Sequence, residues 1–516
     1  MAQPVPTSDP RRWWVLVVLC LSVLLVSVDN TIVNVALPTF GRELGASTSG
    51  LQWIVDGYTL AFAALLLLGG HLGDRFGRRR VLQLGLVGFA VTSYLATLAD
   101  TTGELVAGRA AMGVSAALVY PATLALLVAT FTDRRERATA IGVWSAVTGL
   151  AVAIGPVTGG LLLEHFAWSS VFLVNLPVAA LALVAGWLVV PESRSGEGGG
   201  LDAVGVLGSV AAIGLLVWTT IEAPNHGWTS ATTIAGYAGA AVALAGFVAW
   251  ELRRRHPLLD VRLFGDARFS VASGSIALAF FALFGFIFLI TQYFQVVRGY
   301  DTLAAGLATL PFAVVIGATS PLAIVAMRAV GTKAVVTAGL LTMAAGFAVA
   351  AGTAADSAYW GRVIVAMVLM AGGLGLVTSP ATEAVMGALR TDDQAGAGSA
   401  VNDTVREVGG TLGVAVVGSV MATVYGPAVR DGLAGLPAAV REAAADSVVA
   451  GAAVAERVPG GTAADVVRTA FLDGLSAGSW VCAGVCLAGA LAAAAWLPAR
   501  HRAGTQVPAP VPVPAG

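Results

Sequence analysis

An all-α integral membrane protein is the fold class this sequence predicts, and three observations predict it. Of 516 residues, 57% are hydrophobic and 11% are charged, against about 25% charged in a typical soluble domain. So few charges cannot cover a water-facing surface. The apolar residues also fall in runs of roughly 18–25, the length a helix needs to cross a bilayer. Finally, the runs show no sustained period-two alternation with polar insides, so a β-barrel is not indicated.

Fourteen runs qualify, near 13–37, 51–70, 81–98, 105–129, 139–162, 170–190, 203–221, 231–250, 270–294, 303–326, 333–353, 361–380, 400–425 and 477–497. The first is longer than the apolar core of a signal peptide, about 7–15 residues, and is read as an uncleaved span. Basic residues favour the cytoplasmic side in short loops. With a cytoplasmic N-terminus, the alternate loops that then lie inside hold most of the arginines, including Arg75, Arg78, Arg79 and Arg80. The short outer loops hold only Arg42 and Arg298, with Arg362 at the rim. An even number of spans returns the C-terminus to the cytoplasm. A single lysine, Lys333, among 29 basic residues points to a GC-rich genome and a bacterial plasma membrane. Residues 426–476, rich in alanine and glycine, are expected to form an outer loop, with 438–450 able to make a short surface helix. The Pro-rich end, 507–516, reads as an extended, disordered tail.

Several functions are excluded. Net charge is −1, so bulk basicity gives no argument for nucleic acid. Cys20, Cys482 and Cys486 all lie in apolar runs, and neither they nor the five scattered histidines show metal-ligand spacing. The only lysine is followed by alanine, so no Gly-Lys-Ser/Thr phosphate loop exists. No ATP site, metal or cofactor is expected, and the chain is not read as an enzyme. A membrane protein without a nucleotide site draws on an ion gradient or on passive flow.

Candidate functional residues follow from the cost of charge in lipid. Asp29 is the only charge between Arg12 and Arg42. It is flanked by Asn30, Thr31 and Asn34. A carboxylate at that depth costs several kcal/mol unless water or a partner meets it. One use is to bind and release a proton or cation; the other is to hydrogen-bond neighbouring helices. Asp56, near the outer start of span two, either joins an outward vestibule or reaches the surface. Arg109, in span four, needs a carboxylate or several carbonyls. The sequence GHLGDRFGRRR at 70–80 is a tight basic turn in which Gly70, Gly73 and Gly77 permit close approach and unusual backbone angles. Gly155 and Pro156 interrupt the amide ladder of span five. Asn402, Arg406 and Glu407 open span thirteen as an ion-pair or gate element. Glu222 and Glu383 read as solvated, and the phenylalanines of 280–288 as lipid-facing.

Taken together these motifs resemble the major facilitator superfamily. The 70–80 turn, with Asp74, Arg75 and Arg78, is similar to that family's signature cytoplasmic gate loop. RAAMG at 109–113 is similar to its fourth-span arginine motif. Gly149 followed by GPVTGG at 155–160, with Gly159 and Gly160, is similar to its antiporter motif. VDNTIVNVALP at 28–38, FLVNLP at 172–177, YFQ at 293–295, GLATLP at 306–311, GSAVN at 398–402 and REVGG at 406–410 resemble the fourteen-span drug:proton antiporters. Met112 and Ser169 depart from the usual residues of these motifs.

The resemblance implies two six-helix bundles around a central cavity with two helices inserted between them: a cytoplasmic tail 1–12, a bundle 13–190, an insertion 191–268, a bundle 269–497, and a tail 498–516. It also implies alternating access about a midplane site. The expected function is proton-driven export of amphipathic drugs, antibiotics or dyes by a monomer, with Asp29 exchanging a proton for a cationic cargo. The alternatives are export or symport of an endogenous metabolite or lipid, and a non-transporting sensor.

Overall fold

The structure, a computed structural model, describes residues 11–194, 202–254, 257, 259–388, 393–458 and 461–498. The expected N-terminal tail falls almost wholly outside these residues, and the Pro-rich C-terminal tail wholly so.

Long apolar runs with polar caps make the helices. The first half comprises α1 (Arg11–Glu43), α2 (Thr48–Phe76), α3 (Arg78–Ala96), α4 (Thr102–Thr130), α5 (Arg134–His165), α6 (Ser170–Leu173) and α7 (Asn175–Val189). Next come α8 (Ala203–His226) and α9 (Ala231–Arg253). The second half holds α10 (Ala267–Gln292), α11 (Thr302–Ala308), α12 (Leu310–Val330), α13 (Thr332–Ala351), α14 (Ile364–Gly387), α15 (Asp393–Gly432), α16 (Ala438–Asp446), α17 (Val448–Arg457) and α18 (Thr462–Trp496). Among the described residues there is no strand. Ser47, Thr101, Asp202, Ser230, Asp266 and Asp301 cap helices by accepting backbone N–H groups, satisfying donors that the helix itself leaves open.

Thirteen helical stretches among the described residues are long and apolar enough to cross a membrane. The fourteenth predicted span coincides with α3, whose first turn is Arg78, Arg79 and Arg80. Its apolar remainder packs on α4 and α7. Spans six and ten are each broken once. Span six gives α6 and α7 on either side of Val174. Span ten gives α11 and α12, where Pro311 opens the second helix, the first turn being where a missing N–H costs nothing.

Residues 426–476 are more helical than the loop expected, and the short helix allowed at 438–450 falls on α16 and the start of α17. α15 runs on to Gly432, α18 starts at Thr462, and α16 and α17 lie between them. Alanine is the strongest helix former, and Ala444, Ala445, Val448 and Val449 are buried. At 40 and 35 residues, α15 and α18 are about 60 and 52 Å long at 1.5 Å per residue. Both exceed the roughly 30 Å hydrocarbon layer, so their ends project and carry the α16–α17 cap. The phenylalanines of α10 are also not lipid-facing. Phe281, Phe284, Phe286 and Phe288 are all buried, because α10 is enclosed by α14, α15 and α18.

α1 packs on α4, α5 and α7, and α2 on α4, forming the first bundle. α10, α12, α13, α14, α15 and α18 form the second. α8 pairs with α9 and lies across both α2 and α15. The bundles meet along α2–α15, α5–α11 and α1–α10. The bonds across these seams sit toward one rim, the one holding the α1–α2 turn. Gln295 donates to the Val35 carbonyl at 2.8 Å. Thr302 donates to the Gly160 carbonyl at 3.1 Å. Thr48 donates to the Asp446 carbonyl of the cap at 2.9 Å.

Candidate functional site

Arg109 and Asp29 form one site, 80 positions apart in sequence. Both side chains are fully buried, and Arg109 Nη1 lies 2.5 Å from Asp29 Oδ2. The other carboxylate oxygen, Oδ1, accepts from Asn175 Nδ2 at 2.7 Å. Asn175 also donates to Ser93 Oγ at 3.0 Å, and Ser93 donates to the Phe172 carbonyl. Arg109 Nε donates to the Ile54 carbonyl at 3.1 Å, and the guanidinium lies over the Tyr58 ring, 4.2 Å from its centroid. Tyr58 in turn donates to the Val26 carbonyl. The carboxylate thus joins α1 to α4 and α7, and through Arg109 and Asn175 the network reaches α2 and α3. A buried ion pair survives when further hydrogen bonds satisfy its remaining valences. Here one group is left over: Arg109 Nη2 is buried with no partner.

The sequence placed Asp29 and Arg109 on separate spans and left Arg109 in need of a carboxylate or carbonyls without naming one. The structure supplies the carboxylate from α1. Asn34 is buried on the same helix but turns back to the Asn30 carbonyl at 3.1 Å, outside the pair. Asp56 neither lines a vestibule nor reaches the surface; it is fully buried. Asn175 and Ser93 were not singled out. Asn175 lies inside a matched motif, but nothing marks Ser93 in the sequence.

The basic turn is bound to its own bundle. Arg78 makes an ion pair with Asp74, Nη2 to Oδ1 2.7 Å, and donates to the Ala125 carbonyl. Arg79 donates its backbone N–H to Glu192 Oε1 and its side chain to the Val190 carbonyl. Arg75 is exposed, over the Phe76 ring. Gly77 adopts φ 109°, a region an L side chain rarely enters. Gly70 and Gly73 make no close approach of the kind expected: a Cβ there would meet Pro121 and Arg78 only at ordinary van der Waals distance.

The antiporter-like stretch works as a two-sided contact. A Cβ at Gly155 would strike Thr31 Oγ1 of α1, and one at Gly159 would press on Ile32. On the other side, Gly160 faces Thr302 and Leu303 of α11, and Gly306 faces the Pro156 carbonyl. Absent side chains here let α5 touch both bundles at once. Gly149 meets nothing.

On α15, Arg406 and Glu407 form no ion pair with each other among the described residues; consecutive helical positions point apart. Arg406 donates to Thr382 Oγ1 at 3.0 Å and lies over the Phe280 ring. Thr382 donates to Asn402 Oδ1, and Asn402 to Asp403 Oδ1 at 3.4 Å. Glu407 Oε2 is buried without a hydrogen-bond partner. Asp403, one turn earlier on the same face, was missed, although its i, i+4 spacing from Glu407 was legible. Glu383 is exposed as expected, while Glu222 accepts from Trp53 and Asn225. The pentapeptide GLSAG at 474–478 has the spacing of a serine-nucleophile elbow, but it lies within α18 and lacks the strand-to-helix turn that motif requires.

Two helical bundles joined at one rim, a buried ion pair in one and an acidic cluster in the other, define a polytopic transporter. The chain belongs to the Major Facilitator Superfamily, whose family model matches residues 19–414. It is 37% identical over 491 residues to the multidrug efflux pump LfrA of Mycolicibacterium smegmatis, covering 94% of this chain and 97% of that protein. It is 34% identical over 515 residues to the tetracenomycin C resistance and export protein of Streptomyces glaucescens, covering 98% and 95%. In fold it resembles the crystal structure of a bacterial homologue of the human lysosomal transporter Spinster, with a TM-score of 0.67, 17% identity and coverage of 95% and 98%.

Proposed function

We propose that this protein exports amphipathic, aromatic or cationic small molecules such as antibiotics and dyes, driven by protons entering the cell. The kinship with proteins named for multidrug efflux and tetracenomycin export supports the cargo class. The buried Asp29–Arg109 pair supports proton coupling. When Asp29 takes a proton it no longer neutralises Arg109. The arginine, with Nη2 already unpaired, then has to find carbonyls elsewhere, the Ile54 carbonyl of α2 being already in reach. Because the pair and its hydrogen-bond partners tie together five helices of the first bundle, and α1 and α2 also meet the second bundle, its rearrangement is passed to the seam between them. Export then follows by alternating access of a site between the bundles.

In this reading the rim holding the α1–α2 turn is external and closed. The arginine turn faces the cytoplasm, as do both termini, and the protein works as a monomer in the plasma membrane. The segments 13–190 and 269–497 are the moving bundles and 191–268 is the insertion between them. The test is dye efflux from everted vesicles under an imposed pH gradient. Asp29→Asn is expected to abolish gradient-driven efflux while insertion and dye binding persist. Undiminished coupled efflux in that variant removes Asp29 from the mechanism.

A further inference from the structure

Asp56 is a second buried carboxyl group, and the Asp29–Arg109 pair does not use it. It lies on α2, four residues after Gln52 and so on the same helix face. Gln52 marks what that face touches: its Nε2 donates to the Val414 and Ala415 carbonyls and to Ser419 Oγ, all on α15, at 3.2, 2.9 and 3.3 Å. On the other side of Asp56, Trp53 and Leu60 pack on Val217 and Ile221 of α8 and Ala415 of α15. Asp56 therefore sits where α2, α8 and α15 meet, with α8 covering the junction. It is 0% exposed. Oδ1 accepts one long hydrogen bond from Thr59, 3.4 Å, and Oδ2 has no partner.

Among the described residues, no charge on a neighbouring helix compensates it. On α4, Arg109 is committed to Asp29 of α1 and to the Ile54 carbonyl. On α8, Glu222 is held by Trp53 and Asn225. On α15, Arg406 bonds Thr382, and Glu407 is itself acidic. On α2 itself, Tyr58 donates to Val26. None of these makes a hydrogen bond or ion pair with Asp56. An ionised carboxylate is not sustained in such a place, whereas the neutral acid is. The junction is also a seam between the two bundles, which must part if the rim opens.

We propose that Asp56 is a proton-binding site distinct from the Asp29–Arg109 pair. It holds a proton while α2, α8 and α15 are closed and gives it up when the opened seam admits water. The closed seam is thus favoured at low pH and the open one at high pH. The inference rests on the transport reading above only for its consequence, not for its evidence.

Infrared spectroscopy of the purified full-length protein in lipid vesicles tests it. At neutral pH the wild type should show a carbonyl band of a protonated, weakly bonded carboxylic acid. Asp56→Asn should lose that band entirely, Asp56→Glu should retain one, and Asp29→Asn should keep the Asp56 band. Should Asp56→Asn fail to insert, Asp56→Leu, which fills the same apolar space, reads the same loss. Spin labels across the seam should show wild-type opening that rises with pH and Asp56→Asn opening that does not. An unchanged band in Asp56→Asn or Asp56→Leu, or pH-dependent opening in Asp56→Asn like that of the wild type, overturns the proposal. Loss of the band in a protein that shows no proton-driven efflux supports this site and overturns the coupling reading instead.

Discussion

Removing Asp29 alone should destabilise the protein far more than removing Asp29 and Arg109 together. Both groups are fully buried and their ion pair spans 2.5 Å. Asp29→Leu leaves the guanidinium in a dry interior with only the Ile54 carbonyl and the Tyr58 ring for company. Deleting one partner of a buried pair costs about 3–5 kcal/mol, because the other charge stays uncompensated, whereas replacing both by apolar groups is often neutral. At 1.4 kcal/mol per tenfold, the single variant should lose more than roughly a hundredfold in its folding equilibrium. Arg109→Leu should lose a similar amount, since Asp29 then keeps only its bond from Asn175. The double variant should lie within about 1–2 kcal/mol of wild type, giving a coupling energy of roughly 3 kcal/mol or more. Unfolding of the four proteins in mixed micelles, followed by tryptophan fluorescence, closes the cycle. Additive losses would refute the pairing, because two groups that do not meet cannot compensate for each other.

Three further outcomes are expected. Gly155→Ala places a methyl group against Thr31 Oγ1 and Ile32 N; overpacking of this kind costs about 1–3 kcal/mol, and Thr31→Ala should restore part of it, as read by thermal aggregation in detergent. Tyr425→Phe removes a buried hydroxyl that donates to the Ala444 and Ser447 carbonyls at 3.0 and 3.1 Å. The loss of about 1–2 kcal/mol should fall on the α16–α17 cap, so limited proteolysis between residues 433 and 461 should quicken while the bundles stay intact. Gly77→Ala should cost roughly 1–2 kcal/mol through its left-handed backbone and push on the Glu192 carboxylate; faster hydrogen exchange at Arg78 and Arg79 is the readout, and unchanged protection would contradict it.

Hydropathy and charge by themselves determined the helical membrane class, nearly all the spans and the motifs, because insertion into lipid is decided segment by segment. Where a stretch was too polar to judge in this way, the reading failed. Residues 426–476 looked like a loop with at most one short helix near 438–450, but α15 and α18 extend into it and their projecting ends support a second helix, α17. Which way a side chain faces was equally out of reach. The phenylalanines of α10 are apolar enough for either lipid or protein, and only the enclosing helices place them inside. The decisive case is charge. The sequence marked Asp29, Asp56 and Arg109 as costly but could not say which of them meet. That two are paired and one is left alone follows from how α1, α2, α4 and α15 pack, since electrostatic cost is local in sequence while its compensation is local in space.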